Sequence, residues 1–370
     1  MHQASVGGRG TPGQNPANPP VREADLLLSW YDRAHRDLPW RRTKDPYRIW
    51  VSEIMLQQTR VEAVKPYYER FLTRLPNLQA LAQCPEEELM KLWEGLGYYS
   101  RARNLQAAAI KACAVYGGSL PGTRAELLTL PGIGPYTSAA IASICFGEPH
   151  PAVDGNVLRV WSRRNADGGC ISEASVKKRM EEELRGVIPT DRPGDFNQAM
   201  MELGACICVP NGPAKCTECP WEGICRAHLE GREEAYPVKA AKKPRTVEER
   251  TILVLRDAGK VALRKRPGKG LLAGLYELPS IPGRQSARQV QTYLSGQGIK
   301  VLRIEDLGEA KHIFTHREWH MTGYLVRVDE LERLPAGPDA AEWIFARLRE
   351  VEETYAIPSA FSAYLSALRE

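Results

Sequence analysis

Cys208, Cys216, Cys219 and Cys225, separated by seven, two and five residues, constrain this chain more than any other feature. A centre held by four side chains this close in sequence closes the chain on itself. The spacing suits a 4Fe–4S cluster or a zinc ion bound by four thiolates. A zinc ribbon ordinarily uses two Cys-x2-Cys knuckles, and only Cys216 and Cys219 form one, so the spacing favours iron–sulfur. Lys215 and Arg226 flank the array, which closes a helical stretch and suits a structural role better than electron transfer. Nine cysteines are present, an odd number, and five of them lie between Cys206 and Cys225. That crowding points to metal ligation in a reducing compartment rather than to a disulfide framework.

The 370 residues are enough for two ordinary domains, and a composition 43% hydrophobic and 26% charged is neither disordered nor fibrous. A net charge of +5 permits a polyanionic partner without demanding one. No apolar run is long enough to span a membrane. Residues 1–20, rich in Gly, Pro, Asn and Gln and without the apolar core of a signal peptide, read as a disordered tail. The expected location is cytoplasmic, at the bacterial nucleoid.

Helical periodicity begins near Val21, with Leu26, Leu27, Trp30 and Tyr31 on one side of the first helix. Leu38-Pro39-Trp40 breaks it, and Asp45-Pro46 supplies a cap and a first-turn proline for the next. Helices are expected over Val61–Leu72, Pro85–Leu92, Arg101–Tyr116, Arg124–Leu130, Pro135–Phe146, Ser175–Arg185 and Phe196–Leu203, separated by Gly- or Pro-containing turns. Residues 21–230 therefore read as all-α. Residues 231–248, with Lys239, Lys242, Lys243 and Arg245 beside two prolines, read as an exposed linker. From 249 to 370 the pattern is mixed α and β: strands at Thr251–Leu255, Val261–Arg264 and Met321–Val328, and a final helix over Val351–Leu368.

Three stretches carry candidate chemistry. Glu53, in Ser52-Glu53-Ile54-Met55-Leu56-Gln57-Gln58-Thr59, shares a helix face with Ile49 and Leu56. An apolar setting disfavours its charged form, so the carboxyl is expected to hold a proton near neutrality and to serve as a general acid. In Leu130-Pro131-Gly132-Ile133-Gly134-Pro135-Tyr136, Gly132 and Gly134 allow close backbone approach, and the helix starting at Pro135 offers free N–H groups to a DNA phosphate. In Val153-Asp154-Gly155-Asn156-Val157 a second carboxylate opens a helical run. Cleaving a glycosidic bond commonly uses two carboxyl groups, one giving a proton and one remaining ionised beside a cationic sugar, roles that Glu53 and Asp154 divide by environment. In the second domain His312, Phe314, Thr315 and His316 lie on a strand edge or loop.

Together these residues resemble the MutY adenine DNA glycosylases of the helix-hairpin-helix superfamily that includes endonuclease III. The likeness runs from about Arg22 to the C-terminus through Leu38-Pro-Trp40, Ser52–Thr59, Gly95-Leu-Gly-Tyr-Tyr-Ser-Arg101, Leu130–Gly134, Val153–Asn156 and the cysteine array. It implies a six-helix barrel with a 4Fe–4S cluster domain, followed by a Nudix-like module that reads 8-oxoguanine. It implies a monomeric enzyme that binds double-stranded DNA carrying A:8-oxoguanine or A:G mispairs, flips the adenine out and hydrolyses its glycosidic bond. Glu53 is then the proton donor to adenine N7, Asp154 the stabiliser of the sugar cation and Tyr136 a hydrogen-bonding support for both. Gln58 and Tyr98 match residues that wedge into the duplex, within contact segments that include Thr59, Gly132, Gly134 and Asn156. Arg36, Trp40 and Glu202 match positions around the adenine. Phe314, Thr315 and His316 fall on the family's Phe-Ser-His loop, with Thr in place of Ser.

Where the endonuclease III branch has a nucleophilic lysine this chain has Tyr136, and where some relatives have a lysine after Asp-Gly-Asn-Val it has Leu158. A monofunctional enzyme leaving an abasic site is therefore expected. Two departures stand out. The first cysteine gap holds one residue more than the usual six, so a bulge is expected among Val209–Lys215, with Cys206 as a competing ligand to Cys208. After Glu277-Leu-Pro279 the acidic helix of a Nudix hydrolase is missing, so the second domain is expected to bind rather than to cut. The competing readings are an endonuclease III-like enzyme for oxidised pyrimidines and a non-catalytic iron–sulfur DNA-binding protein.

Overall fold

The computed structural model describes residues 22–241, 243–333 and 343–368. The expected tail at 1–20 lies outside them. In chain order the helices are α1 (Glu23–Ala34), α2 (Pro46–Leu56), α3 (Val61–Arg74), α4 (Leu78–Gln83), α5 (Glu86–Leu92), α6 (Ser100–Val115), α7 (Arg124–Leu127), α8 (Pro135–Phe146), α9 (Gly155–Asn165), α10 (Ala174–Arg185), α11 (Pro193–Cys206) and α12 (Arg226–Leu229). The expected all-α character holds across this stretch. Among the described residues no helix is long and apolar enough to cross a membrane.

Local chemistry explains the helix starts. Asp45 caps α2, its Oδ1 accepting from Tyr47 N at 2.9 Å and Arg48 N at 3.4 Å, and Pro46 occupies a position whose N–H has no helical partner anyway. A cap of this kind contributes about 1 kcal/mol. Asp154 caps α9 in the same way. Tyr47, Ile49, Trp50, Val51, Ile54 and Met55 of α2 are all buried, so this helix lies in the interior rather than on its rim.

The chain divides into two compact units, one built of Met1–Asp37 with Gly147–Lys239 and the other of Leu38–Phe146 with Ala240–Glu370. The first unit holds α1 and α9–α12 around a core of Leu27, Tyr31, Val160, Trp161, Phe196 and Trp221. The helical stretch is thus shared between two units, a division that its uniform periodicity does not reveal.

The second unit contains α2–α8 and a mixed sheet. Its strands are β1 (Thr246–Arg256), β2 (Lys260–Lys265), β3 (Tyr276–Glu277), β4 (Ser280–Pro282), β5 (Val301–Ile313), β6 (Arg317–Val328) and β7 (Trp343–Arg347), and α13 (Ala287–Gly296), α14 (Leu348–Glu353) and α15 (Ser362–Leu365) cover it. The strand order is β3-β2-β1-β6-β5, with β4 paired to β1 and β7 to β2. β1 and β6 run parallel, Ile252 facing Gly323; β5 and β6 form an antiparallel hairpin with two bulges.

Ile252 and Val254 of β1 enter one core with Trp319, Phe361 and Tyr364. Leu253 and Leu255 enter the other with Val290, Leu294 and Val326. Both faces are covered, which is why β1 reads as an unbroken apolar run. β1 begins three residues before the expected domain start at 249. The single helix expected over 351–368 is broken: α14 stops at Glu353, and from Ser359 only short helical pieces follow, with α15 among them. Pro358 drives Ile357 away from helical backbone and removes an N–H donor.

Candidate active site

The geometry of the second unit centres on Glu53. Its side chain, 6% exposed, lies one turn from the end of α2, and α8 packs along that helix. The Tyr136 hydroxyl, in the first turn of α8, donates to Glu53 Oε2 at 2.7 Å. Gln57 Nε2 approaches Thr137 Oγ1 at 3.4 Å. Burial pushes the thiol of Cys145, also on α8, up to about 12, so this neighbour adds no charge near the carboxyl. Glu53 is thus a buried carboxyl group that accepts a phenol hydroxyl.

Before α8, Gly132 has φ of 73° and a Cβ there would stand 2.6 Å from Asn104 Cβ, so both backbone and space require glycine. Gly134 has open space around its Cα, and Ser138 N reaches Gly134 O at 2.9 Å as α8 begins. Trp40 is buried with its ring edge-on to Tyr68 at 5.4 Å.

Gln58 and Tyr98 both hold left-handed backbone, with φ of 61° and 48°. Thr59 follows, its hydroxyl 3.5 Å from Gln57 O. Tyr98 is 48% exposed and its hydroxyl lies 3.0 Å from Thr315 Oγ1. Thr315 and His316 form the exposed turn of the β5–β6 hairpin, which Phe314 N closes by donating to Arg317 O at 2.9 Å. The Phe314 ring sits against His312 and Trp319 at 4.6 and 4.8 Å. Tyr98, Arg103, Leu272, His312, Thr315 and Ala360 line a cleft of about 500 Å³, large enough for a base or nucleoside.

In the first unit Asp154 Oδ1 accepts from Asn156 N at 2.9 Å and Val157 N at 2.8 Å, and Oδ2 from Asn156 Nδ2 at 2.9 Å. Desolvation pushes this carboxyl above the ordinary aspartate range, opposed by the donors of Val157 and Asn156. The expected polar turn is therefore drier than its Asp-Gly-Asn sequence suggests. Asn156 Oδ1 in turn accepts from Arg159 Nη2 at 3.0 Å. Glu202, 1% exposed, takes a fork from Arg36: Nε to Oε1 at 2.8 Å, Nη2 to Oε2 at 2.7 Å, and the Arg36 N–H to Oε1 at 3.0 Å. Each holds the other in place.

The four array cysteines line one small cavity with Arg163, His228 and Glu233. Arg163 Nη1 donates to Cys208 Sγ at 3.3 Å, and Trp221 N to Cys219 Sγ at 3.4 Å. Burial pushes the Cys219 thiol up to about 12 and that of Cys216 up to about 11, so thiolates here need a cationic partner to offset desolvation. Four converging sulfurs with N–H donors aimed at two of them fit an iron–sulfur cluster. Cys216, His228 and Glu233 also converge, within 4.8 Å, but offer only one sulfur. Cys206 Sγ lies instead 3.6 Å from Glu202 Oε1. The long gap after Cys208 is a loop that turns at Gly212 and is pinched by Lys215 N donating to Ile207 O at 3.0 Å.

Sequence reasoning missed the buried arginines. Arg159 reaches Cys208 O at 2.9 Å and Gly204 O at 2.7 Å; Arg163 reaches Tyr236 O at 3.0 Å and Val209 O at 2.9 Å. Their spacing from Asn156, three and seven residues on, puts all three on one face of α9. That alignment was the available signal.

This fold, with its glycine hairpin and cysteine cavity, is that of a helix-hairpin-helix DNA glycosylase, an enzyme of base excision repair acting on N-glycosyl bonds. The model of the HhH-GPD superfamily of base excision DNA repair proteins matches residues 51–187, and that of the NUDIX domain matches residues 251–367. The adenine DNA glycosylase of Mus musculus is 36% identical over 376 residues, covering 86% of this chain and 73% of that protein. That of Homo sapiens is 36% identical over 378 residues, covering 86% and 69%. The chain belongs to the adenine DNA glycosylase family. A solved thermostable thymine-DNA glycosylase matches 56% of this chain and 95% of its own at a TM-score of 0.50 and 31% identity.

Proposed function

We propose that this enzyme removes adenine mispaired with 8-oxoguanine or guanine from double-stranded DNA, leaving an abasic site without cutting the strand. The observation that carries the reading is the buried Glu53 carboxyl hydrogen-bonded by Tyr136 at the position where a lyase carries its lysine. Adenine inside a duplex is out of reach, so the base is flipped out. Burial disfavours a charged carboxylate, which suits Glu53 to deliver a proton to adenine N7. Asp154 stabilises the cationic sugar, held in one orientation by the α9 amides and Asn156. Arg36 and Glu202 orient groups around the adenine. The cleft beside Thr315 and His316 takes the oxidised guanine, whose altered edge a hydroxyl and an imidazole can both meet.

Cys208, Cys216, Cys219 and Cys225 hold a 4Fe–4S cluster. When bound, that cluster supplies the positive centre on which the four thiolates close. Arg163 and Trp221 orient two of the sulfurs. The chain organisation that goes with this reading is a helical glycosylase domain over 21–230, then a linker, then a recognition domain whose first strand, β1, opens at Thr246 rather than at 249.

Excision rates on duplexes with adenine opposite 8-oxoguanine, guanine or thymine, and on a thymine glycol duplex, test the substrate. The first is cut fastest, the second more slowly, the last two barely. Preferred release of thymine glycol would replace this reading with that of an oxidised-pyrimidine enzyme.

The pH dependence carries a second expectation. Asp154 works ionised, so the rate rises as pH climbs through its pKa. Desolvation places that acid limb above the ordinary aspartate range. Asn156 Nδ2 favours the carboxylate, so Asn156→Ala moves the limb to still higher pH, as a pH profile of single-turnover rates reads directly. An unmoved limb would separate Asp154 from the profile.

A further inference from the structure

Arg101 opens α6 and turns its guanidinium into the protein. Nη1 faces the carbonyl oxygens of Ile54 at 2.6 Å, Met55 at 3.1 Å and Gln57 at 2.8 Å. Nη2 faces those of Leu96 at 3.0 Å and Gly97 at 3.1 Å. The first three end α2, where a helix leaves carbonyls without partners; the other two close the loop that precedes Tyr98. Among the described residues no carboxylate pairs with this cation. Desolvation brings it down to about 10, so it stays charged near neutrality.

Four non-glycine residues have positive φ among those described, and two of them, Gln58 and Tyr98, directly follow carbonyls that Arg101 holds. Left-handed backbone is disfavoured for such residues and persists only where the surroundings impose it. Both side chains are exposed. The Arg101 guanidinium carbon also lies 5.7 Å from the Tyr98 ring centroid and 5.4 Å from that of Trp93.

We infer that Arg101 is a positioning residue that ties the end of α2 to the 95–98 loop, so that Gln58 and Tyr98 form one preset two-pronged wedge for the mispaired duplex. The inference rests on the wedge reading of those two residues given above. A planar fork spans two segments at once; a lysine ammonium, a point donor on a flexible stem, does not. Preset prongs spare the ordering cost that binding a distorted duplex otherwise carries.

The test is Arg101→Lys in the cluster-loaded full chain. Fluorescence anisotropy gives the Kd for an A:8-oxoguanine duplex bearing a non-cleavable 2′-fluoroadenosine and for the matched A:T duplex, and single-turnover assays give the excision rate at saturating enzyme. The expected result is a lesion-duplex Kd weaker by about tenfold or more, a matched-duplex Kd within about twofold and an excision rate within about threefold, a split that bulk destabilisation does not produce. Gln58→Gly frees the backbone from its need to be held, so the Arg101→Lys loss is smaller in that background, a non-additivity diagnostic of coupling.

If Arg101→Lys alone does not accumulate folded, the double variant does. Equal weakening of both duplexes, strict additivity with Gln58→Gly, or failure of the double variant to recover folding overturns the inference. A wild type that selects the lesion duplex beside an equally selective Arg101→Lys defeats the inference alone. A wild type with no selectivity defeats the wedge reading beneath it.

Discussion

Glu53→Gln is expected to lower single-turnover adenine excision by about 10²–10⁴, the contribution of a well-placed general acid, while affinity for the mispaired duplex changes little. The amide has the size of the carboxyl and still accepts the Tyr136 hydroxyl that now reaches Oε2 at 2.7 Å. What it lacks is a proton to give. Adenine left unprotonated departs as a poor leaving group, so the loss falls on the rate rather than on Kd, the signature of an interaction made only in the transition state. A variant that lost binding and rate together would mark Glu53 as a structural residue of α2 instead.

The second large effect is expected at the cysteine array. Cys219→Ser removes one of the proposed cluster ligands while its neighbours are retained, and loss of a structural metal centre belongs with the most destabilising single changes, about 4–5 kcal/mol or more. The damage does not stay in the loop. Cys208 Sγ is bonded by Arg163, and Cys208 O by Arg159; both arginines sit on α9, whose first turn is oriented by Asp154. A disordered array therefore releases the helix that aims Asp154, the proposed stabiliser of the sugar cation. The expected readouts are loss of the visible iron–sulfur absorbance, a lowered thermal midpoint of the first unit and a collapse of excision. Retained activity in protein shown to lack iron would remove the array from the account.

Much of this site was legible because its chemistry is local in sequence. The Asp45-Pro46 start of α2, the glycine hairpin before α8 and the Asp154 cap each follow from a few adjacent residues, and the structure places them where those residues require. The buried arginines were not legible. Arg101, Arg159 and Arg163 bond mainly to backbone carbonyls far off in sequence, and a carbonyl leaves no mark on the residue that bears it.

The parallel pairing of β1 with β6 was hidden for a related reason, since strand patterning gives faces and not partners. Apolar spacing in the last eighteen or so residues suggested one helix, and Pro358 decided otherwise through its missing N–H. The sharing of the helical stretch between two units depends on the packing of α1 against α11, a long-range contact that no window of periodicity contains.

The central claim is that a buried carboxyl frees adenine and that the chain goes no further. It is tested most directly by incubating cluster-loaded wild type and Glu53→Gln with an A:8-oxoguanine duplex, quantifying free adenine, and running the strand with and without alkali and with borohydride. The account predicts one adenine per duplex from wild type, a strand that breaks only after alkali, little borohydride-trapped protein and almost no adenine from Glu53→Gln. Equal adenine release by both proteins, or a strong trapped adduct with cleavage accompanying base loss, would contradict it.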